Sequence, residues 1–245
     1  ALLTAISSSQ LLGRGVDVDY IVRSEAGRTL EVCVIVEEEK NSRTCLSLPR
    51  GDMVPDLTLE EVAKVRGDWA VFDGRHLESA LELASRVKED GGKVVVEAEL
   101  RSRSGEIRAE MEHLMGLADY VVMAEDFLER FYEGATLEEK LKNWRDCVCG
   151  GEKRWCIVTR GSLGCLMYYS VVTALRPFSL SPSQVVDSTG AGDCFLGALT
   201  AFLVKGASVE QSVQAASWAG MMQCRGAGGR HPIDWKLAKG NLDWL

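Results

Sequence analysis

The sequence lacks the spacing patterns of a metal site built from thiols and imidazoles. It contains no Cys-x-x-Cys pair, and its three histidines, His76, His113 and His231, share no ligand spacing. We therefore expect no zinc site. The eight cysteines are interpreted as reduced thiols, which predicts a protein of the cytoplasm or an organelle matrix.

Long apolar runs are absent as well. No stretch approaches the ~20 apolar residues that a membrane-spanning helix needs, so we expect no membrane partner. The opening residues, ALLTAISSSQLLGRG, lack the basic start and the apolar stretch of a secretory signal. The sequence therefore predicts a protein that is not secreted.

Basic residues are outnumbered by acidic ones. The chain has 28 Lys and Arg residues against 36 Asp and Glu, a formal net charge of −8. Phosphate backbones are bound by clustered basic residues, so we expect no nucleic-acid partner, although one local pocket could still hold a small anion. The Gly-x-x-x-x-Gly-Lys-Ser/Thr motif is also missing, because Gly91-Gly92-Lys93 is followed by Val94. This excludes a P-loop as the phosphate site.

Helix and strand patterns alternate along most of the chain. Strands are predicted at residues 29–39, 43–48, 69–75, 93–99, 119–124 and 184–187, with a strand–turn–strand unit at 155–169. Amphipathic helices lie between them, and three of these open on a capping pair: Thr58 with Glu61, Thr136 with Glu139, and Ser208 with Gln211. This alternation predicts an α/β fold, a mostly parallel sheet with helices on both faces.

The domain organisation follows from the same pattern. No internal repeat, low-complexity linker or Pro/Ser-rich boundary divides residues 1–245, so we expect a single domain. The strand pair near residues 29–48 stands apart from the alternation. We interpret residues 20–48 as a small β flap within that domain.

The stretch DSTGAGDCFLGALTAFL, residues 187–203, carries the clearest chemical signal. Gly190, Ala191 and Gly192 leave backbone N–H groups uncovered at the start of an apolar helix, where the helix dipole favours an anion. Asp193 follows in the first turn. An anion hole beside a carboxylate suits phosphoryl transfer to an alcohol. A tight turn with an acidic helix start would show the same four residues.

The segment VVDSTGAGDCFLGAL resembles the second signature of the PfkB (ribokinase-like) family of carbohydrate kinases almost position by position. The resemblance implies a ribokinase-like fold and an ATP-dependent kinase. Asp193 would be the catalytic base, also in contact with the substrate. Gly190, Ala191 and Gly192 would form the anion hole.

Other stretches resemble the family, and its ketohexokinase branch in particular, in the same order along the chain. NSRTCLSL implies that Arg43 reaches the sugar and phosphate cleft, although Arg43 could equally be a solvated flap residue. IVTRGSLGCLMY and ASWAGMMQCRGAGG are similar to the nucleotide-side hairpin and the adenine-side helix with its glycine loop. The implied nucleotide contacts are Arg160, Gly161, Gly164, Cys224, Gly226 and Gly228. Glycines in turns need no ligand, so a purely structural role stays open.

The chain departs from the family pattern at the expected magnesium position. Many members carry an Asn-x-x-Glu run after the central strand, and here the residues are Ala124-Glu125-Asp126-Phe127. Members of the ketohexokinase branch also lack it. Glu97 and Glu99, near the end of the strand at 93–99, are candidate replacements. Ordinary polar residues at a strand end would look the same.

A second departure lies at the start. The family's first strand, a sugar-gripping Asp, a Gly-Gly turn and an Asn have no counterpart, so we expect either an N-terminally incomplete sequence or a shortened paralogue. The resemblance also implies K⁺ near the anion hole, held by backbone carbonyls, and a homodimer formed through the flap.

Together these observations predict a kinase that transfers the γ-phosphoryl group of ATP, with Mg²⁺, to a sugar hydroxyl. The resemblance favours a ketohexose such as fructose. Two alternatives stay open: a ribose or nucleoside kinase of the same family, and an idle kinase-like scaffold or nucleotide-binding subunit.

Overall fold

A computed structural model describes residues 10–21, 32–37, 42–47, 57–99, 109–178, 180–229, 231–240, 242 and 244. By its contacts the chain divides into two compact units, Ala1–Val65 and Arg66–Leu245. The expectation of a single domain over residues 1–245 stays a prediction.

The first unit contains an antiparallel strand pair and a short helix. Strand β1 (Val32–Glu37) pairs with β2 (Ser42–Ser47), with Val36 opposite Arg43. The predicted strand pair is therefore confirmed, while its role as a flap and as a dimer contact stays a prediction. Helix α1 (Leu59–Lys64) opens on the predicted capping box, in which the Glu61 N–H donates to Thr58 Oγ1 over 3.2 Å.

The second unit is built on a six-stranded sheet in the order β3-β4-β5-β6-β7-β8. Its strands are β3 (Trp69–Phe72), β4 (Lys93–Ala98), β5 (Tyr120–Ala124), β6 (Trp155–Thr159), β7 (Cys165–Tyr168) and β8 (Val172–Leu175). Strands β3, β4, β5 and β6 run parallel to one another, and β7 and β8 continue from β6 as an antiparallel meander. The mostly parallel α/β sheet is confirmed.

Six helices of the described residues complete this unit. They are α2 (Leu77–Glu89), α3 (Ala109–Leu117), α4 (Glu125–Phe131), α5 (Leu137–Val148), α6 (Ala191–Val204) and α7 (Val209–Gln223). Helices α5 and α7 open on the predicted capping boxes of Thr136 with Glu139 and Ser208 with Gln211. Among the described helices, none is long and apolar enough to cross a bilayer.

The core lies on both faces of the sheet because side chains alternate along each strand. On β4, the buried side chains of Val94 and Val96 pack into the cluster formed with α2, α3, α4 and α5. The buried side chain of Val95 lies in the opposite cluster, formed with α6 and α7. Helices therefore cover both faces, as the sequence predicts, and α6 and α7 share one face.

The predicted strand at residues 184–187 is wrong. Pro182–Gln184 form a 3₁₀ turn, and the residues that follow join no strand of the described sheet. The N–H groups of Val186 and Asp187 both donate to the Cys224 carbonyl, over 2.8 and 3.3 Å. The side chain of Val186 remains 61% exposed, so it has no core face to join. The segment is held against the end of α7 instead.

Candidate active site

Helix α6 begins at a left-handed residue. Gly190 is its N-cap, with φ 80° and ψ 2°, a conformation that costs a residue with a Cβ far more than glycine. The first intrahelical hydrogen bond runs from the Cys194 N–H to the Gly190 carbonyl over 2.9 Å. The amides of Gly192 and Asp193 precede it and lie at the positive end of the helix dipole.

One amide of the predicted anion hole is already engaged. The Ala191 N–H donates to the Ser188 carbonyl over 3.2 Å, which closes the turn before the helix. The donors at the helix start are therefore the amides of Gly192 and Asp193. The Asp193 side chain is exposed in the first turn, so its carboxylate is accessible to a ligand held by these amides.

Asp187 joins this turn to the glycine loop, residues 225–229. Its Oδ1 accepts the Thr189 N–H over 2.9 Å, and its Oδ2 accepts the Gly228 N–H over 2.8 Å. A Cβ on Gly190 would lie 2.8 Å from the Gly229 carbonyl oxygen. The structure therefore brings predicted residues Cys224 and Gly228 together with the turn that holds Gly190, Ala191 and Gly192.

Gln223, the last residue of α7, lies between the same two segments and is fully buried. Its Nε2 donates to the Thr189 carbonyl over 2.9 Å and to the Gly228 carbonyl over 2.6 Å. Its Oε1 accepts the His231 N–H over 2.9 Å and lies 3.5 Å from Cys194 Sγ. Both polar atoms of this amide are therefore satisfied.

The carboxylate of Glu97 lies beside the turn. Its Oε1 is 3.8 Å from the point that a Cβ on Gly192 would occupy, whereas Glu99 lies exposed just beyond β4. Described residues contain no group of three or more His, Cys, Asp or Glu side chains that could hold a metal. Magnesium commonly binds one or two carboxylates and completes its shell with substrate phosphates and water. Glu97 fits that mode of binding better than Glu99.

The second predicted nucleotide segment is the turn between β6 and β7. Arg160 Nε pairs with Glu125 Oε1 over 3.0 Å, and both side chains are mostly buried. Gly164 has φ +87°, and a Cβ there would lie 2.5 Å from the Leu175 carbonyl oxygen. Gly161 has φ +54° and faces open space. Packing therefore accounts for Gly164, while Gly161 needs glycine only for its backbone conformation.

The structure describes the surroundings of Gly226 but not the side chain of Arg43. A Cβ on Gly226 would overlap the His231 ring, so the glycine is required by packing within the loop. Arg43 lies on β2, and its side chain falls outside the described part of the structure.

The thiols near the turn are held in their protonated form. Burial raises the pKa of Cys194, and the negative charge of Asp193 raises it further. Burial and the charge of Asp187 likewise raise the pKa of Cys224. A protonated thiol cannot accept the proton of a hydroxyl group, so the exposed Asp193 carboxylate is the better candidate for a general base.

Sequence reasoning missed Asp187 and Gln223. The Asp-x-Thr spacing of Asp187 and Thr189 is a local signal for an Asx turn and could have been found. Gln223 has no such signal, because its partner Thr189 is 34 residues away in the chain.

Known proteins resemble this chain over most of its length. Ketohexokinase from Mus musculus is 26% identical over 213 residues, with 82% of this chain and 67% of that protein covered. Adenosine kinase from Schistosoma mansoni, solved with 2-fluoroadenosine, superposes with a TM-score of 0.83 at 18% identity, covering 95% of this chain and 73% of that one.

A fructokinase double mutant from Vibrio cholerae O395, solved with fructose, ADP and a potassium ion, superposes with a TM-score of 0.72 at 22% identity. The superposition covers 92% of this chain and 76% of the fructokinase chain. These two structures share the ribokinase-like fold with this chain.

Residues 8–236 match the pfkB family carbohydrate kinases. The match includes the Gly190–Asp193 turn and the glycine loop that Asp187 and Gln223 join to it. PfkB carbohydrate kinases are phosphotransferases, and this chain belongs to their family.

Proposed function

We propose that this chain transfers the γ-phosphoryl group of ATP to a sugar hydroxyl, with a ketohexose such as fructose favoured. Asp193 acts as the general base, and the turn of Gly190, Ala191 and Gly192 at the start of α6 forms the anion hole for the phosphoryl oxygens. The observation that carries the proposal is the exposed Asp193 carboxylate beside the uncapped amides that open α6. The sugar is favoured by the similarity to ketohexokinase.

The proposed reaction moves one proton and one phosphoryl group. The Asp193 carboxylate accepts the proton of the hydroxyl, whose oxygen bonds to the γ-phosphorus while the bond to the bridging oxygen of ADP breaks. The amides of Gly192 and Asp193 donate to the oxygens where charge develops. Ala191 already donates to Ser188, so it contributes through the shape of the turn.

Glu97 would hold Mg²⁺ at this turn, supported by its place beside Gly192. Mg²⁺, when bound, neutralises charge on the nucleotide phosphates. Glu97 would thereby help to hold the phosphates near the amides of α6. Glu99, exposed just beyond β4, is the weaker of the two candidates.

The nucleotide contacts form two groups in this proposal. Gly226 and Gly228 belong to the glycine loop, and Cys224 directly precedes it. Hydrogen bonds of the segment at Asp187 tie Gly228 and Cys224 to the Gly190–Asp193 turn, here called the anion-binding turn, and this connection supports their role. Arg160, Gly161 and Gly164 belong to the β6–β7 turn. There the guanidinium is held by Glu125, which orients it before any ligand binds.

The protein is further proposed to work in the cytoplasm or an organelle matrix. Six cysteines of the described residues are free thiols, as expected where disulfides are reduced. A homodimer formed through the strand pair β1–β2 remains a proposal from the family resemblance.

The test is ATP consumption with fructose, ribose, adenosine and no acceptor, comparing wild type with Asp193→Asn. We expect acceptor-dependent turnover that falls by about 10²–10⁴-fold in the variant, since the variant has lost its general base. Asp126→Asn is a matched control, because Asp126 is likewise an acid in the first turn of a helix and is not part of the proposed site.

The acceptor panel also separates the alternatives. Turnover with ribose or adenosine but not fructose would replace the sugar assignment within the same family. ATP binding with no turnover on any acceptor would favour a nucleotide-binding scaffold.

A further inference from the structure

Two backbone carbonyls from separate segments converge on a single nitrogen. The Thr189 carbonyl precedes the anion-binding turn, and the Gly228 carbonyl belongs to the glycine loop. Gln223 Nε2 lies 2.9 Å from the first oxygen and 2.6 Å from the second, and its side chain is fully buried. Carbonyl oxygens that converge on a buried position need a partner carrying positive charge or a donor hydrogen, and here the neutral amide of Gln223 is that partner.

The orientation of this amide is fixed by its other end. Oε1 accepts the His231 N–H over 2.9 Å and lies 3.5 Å from the thiol of Cys194. Turning the amide over would place Oε1 against two carbonyl oxygens and the NH₂ group against an N–H donor. These polar groups are therefore matched in one orientation only.

Convergent backbone carbonyls are also the ligands that K⁺ uses in proteins. The family resemblance implies a K⁺ held by carbonyls near the anion hole. At the convergence of the Thr189 and Gly228 carbonyls the residues do not fit that ion, because Gln223 Nε2 already lies within hydrogen-bonding distance of both oxygens.

We propose that the Gln223 amide takes the place of a monovalent cation in this chain. It holds the anion-binding turn to the glycine loop, and neither the folded site nor nucleotide binding depends on K⁺. Gln223 is thus a positioning residue. Its effect on turnover rests on the proposed kinase function, whereas its effect on stability does not.

The first test compares wild-type protein in potassium chloride and in N-methylglucamine chloride at equal ionic strength. We expect the melting temperature without ligands to be the same in both salts, and ATP affinity to agree within about twofold. Stabilisation by K⁺, or ATP affinity more than about threefold tighter in K⁺, overturns the proposal. Neither measurement needs a sugar or turnover, so the result stands even if the chain phosphorylates none of the acceptors tried.

The second test uses Gln223→Ala, which leaves the two carbonyls without their donor. In N-methylglucamine we expect ATP affinity to fall by roughly tenfold and the melting temperature to drop. Potassium restores both, because the freed carbonyls can then bind the ion. Lithium, which is too small to contact both oxygens, does not restore them.

Gln214→Ala is the matched control on the same helix, since its Oε1 accepts the Trp244 indole N–H over 3.0 Å, away from the two carbonyls. It should show no salt-specific rescue. A folded Gln223→Ala protein with unchanged ATP affinity, or with a loss that K⁺ does not restore, overturns the proposal. If Gln223→Ala does not fold, the wild-type salt comparison decides alone.

Discussion

Gly190 and Gly229 approach so closely that a Cβ on Gly190 would lie 2.8 Å from the carbonyl oxygen of Gly229 and 2.9 Å from its Cα. The contact joins the start of α6 to the glycine loop. Backbone atoms cannot move aside as the end of a flexible side chain can. Gly190 therefore meets two requirements at once, a left-handed conformation and a neighbour at backbone distance.

We expect Gly190→Ala to lower stability by more than its backbone conformation alone explains. The left-handed region costs about 1–2 kcal/mol for a residue with a Cβ. Gly206→Ala is the control, because Gly206 has φ +81° and a Cβ there would meet no atom within 4 Å. Urea unfolding should show the larger loss for Gly190→Ala, and equal losses for the two variants would contradict a close approach.

Gly192→Ala should separate stability from activity. Gly192 is helical and a Cβ there would make only ordinary contact with Glu97 Oε1 at 3.8 Å, so the fold should tolerate it. Alanine is favoured over glycine inside a helix by about 1 kcal/mol. The methyl group would nevertheless lie beside the proposed phosphate site, and we expect turnover to fall by roughly tenfold or more.

Gly197→Ala is the matched control for that variant. Gly197 lies exposed on the same helix, and a Cβ added there would face open space. Thermal unfolding and turnover should both stay at or above wild-type values. Normal turnover in Gly192→Ala would argue against phosphate binding at this turn.

Asp187→Asn should weaken the connection between the turn and the glycine loop. In wild type, both carboxylate oxygens accept backbone N–H groups, from Thr189 and Gly228. The variant presents an NH₂ group to one of these donors, and losing such a bond costs about 1–3 kcal/mol. Isothermal titration should show weaker ATP binding together with a lower unfolding midpoint. Unchanged ATP affinity would mean that the loop is positioned by other contacts.

Asp119 should make stability depend on pH at the acidic end. Burial alone would raise its pKa, but hydrogen bonds from Lys88 over 2.8 Å, the Val94 N–H over 2.9 Å and Lys93 over 3.0 Å outweigh burial and lower it below 3.8. A depressed folded-state pKa stabilises the protein above the unfolded-state pKa, and this stability is lost as pH falls through the folded value. Asp119→Asn should therefore be less stable than wild type at pH 7.

This prediction is checked by comparing the stability of wild type and Asp119→Asn across a range of pH. Urea unfolding at several pH values should show the difference between wild type and Asp119→Asn shrinking as pH falls below about 4, where the unfolded carboxyl becomes protonated. A difference that stays constant from pH 7 to the acidic end would mean that packing rather than charge distinguishes them.

Most of the fold could be predicted from sequence patterns that span only a few neighbouring residues. Each capping box joins residues three positions apart, such as Thr136 and Glu139, so a short window of sequence contains the whole interaction. The valines of β4 alternate between the two core clusters as their positions in the chain require. The Gly190–Asp193 turn was recognisable for the same reason, since its residues are contiguous.

Contacts distant in sequence were the source of the errors. Residues 184–187 read as a strand because two valines adjoin each other, yet the amides of Val186 and Asp187 bind the carbonyl of Cys224 at the end of α7. Gln223 gave no signal on an otherwise apolar stretch of helix, although it is buried and joins two loops. The contacts of residues 184–187 and of Gln223 depend on where α7 ends relative to α6, and no local sequence pattern encodes that position.

The nearness of Glu97 to Gly192 joins strand β4, in the first half of the chain, to helix α6 in the second half. Neither half alone contains both residues of the proposed phosphate site, so we expect nucleotide binding to appear only once the polypeptide has folded across that whole distance. During refolding, the recovery of ATP binding should therefore mark the completion of long-range topology, later than the recovery of helical circular dichroism.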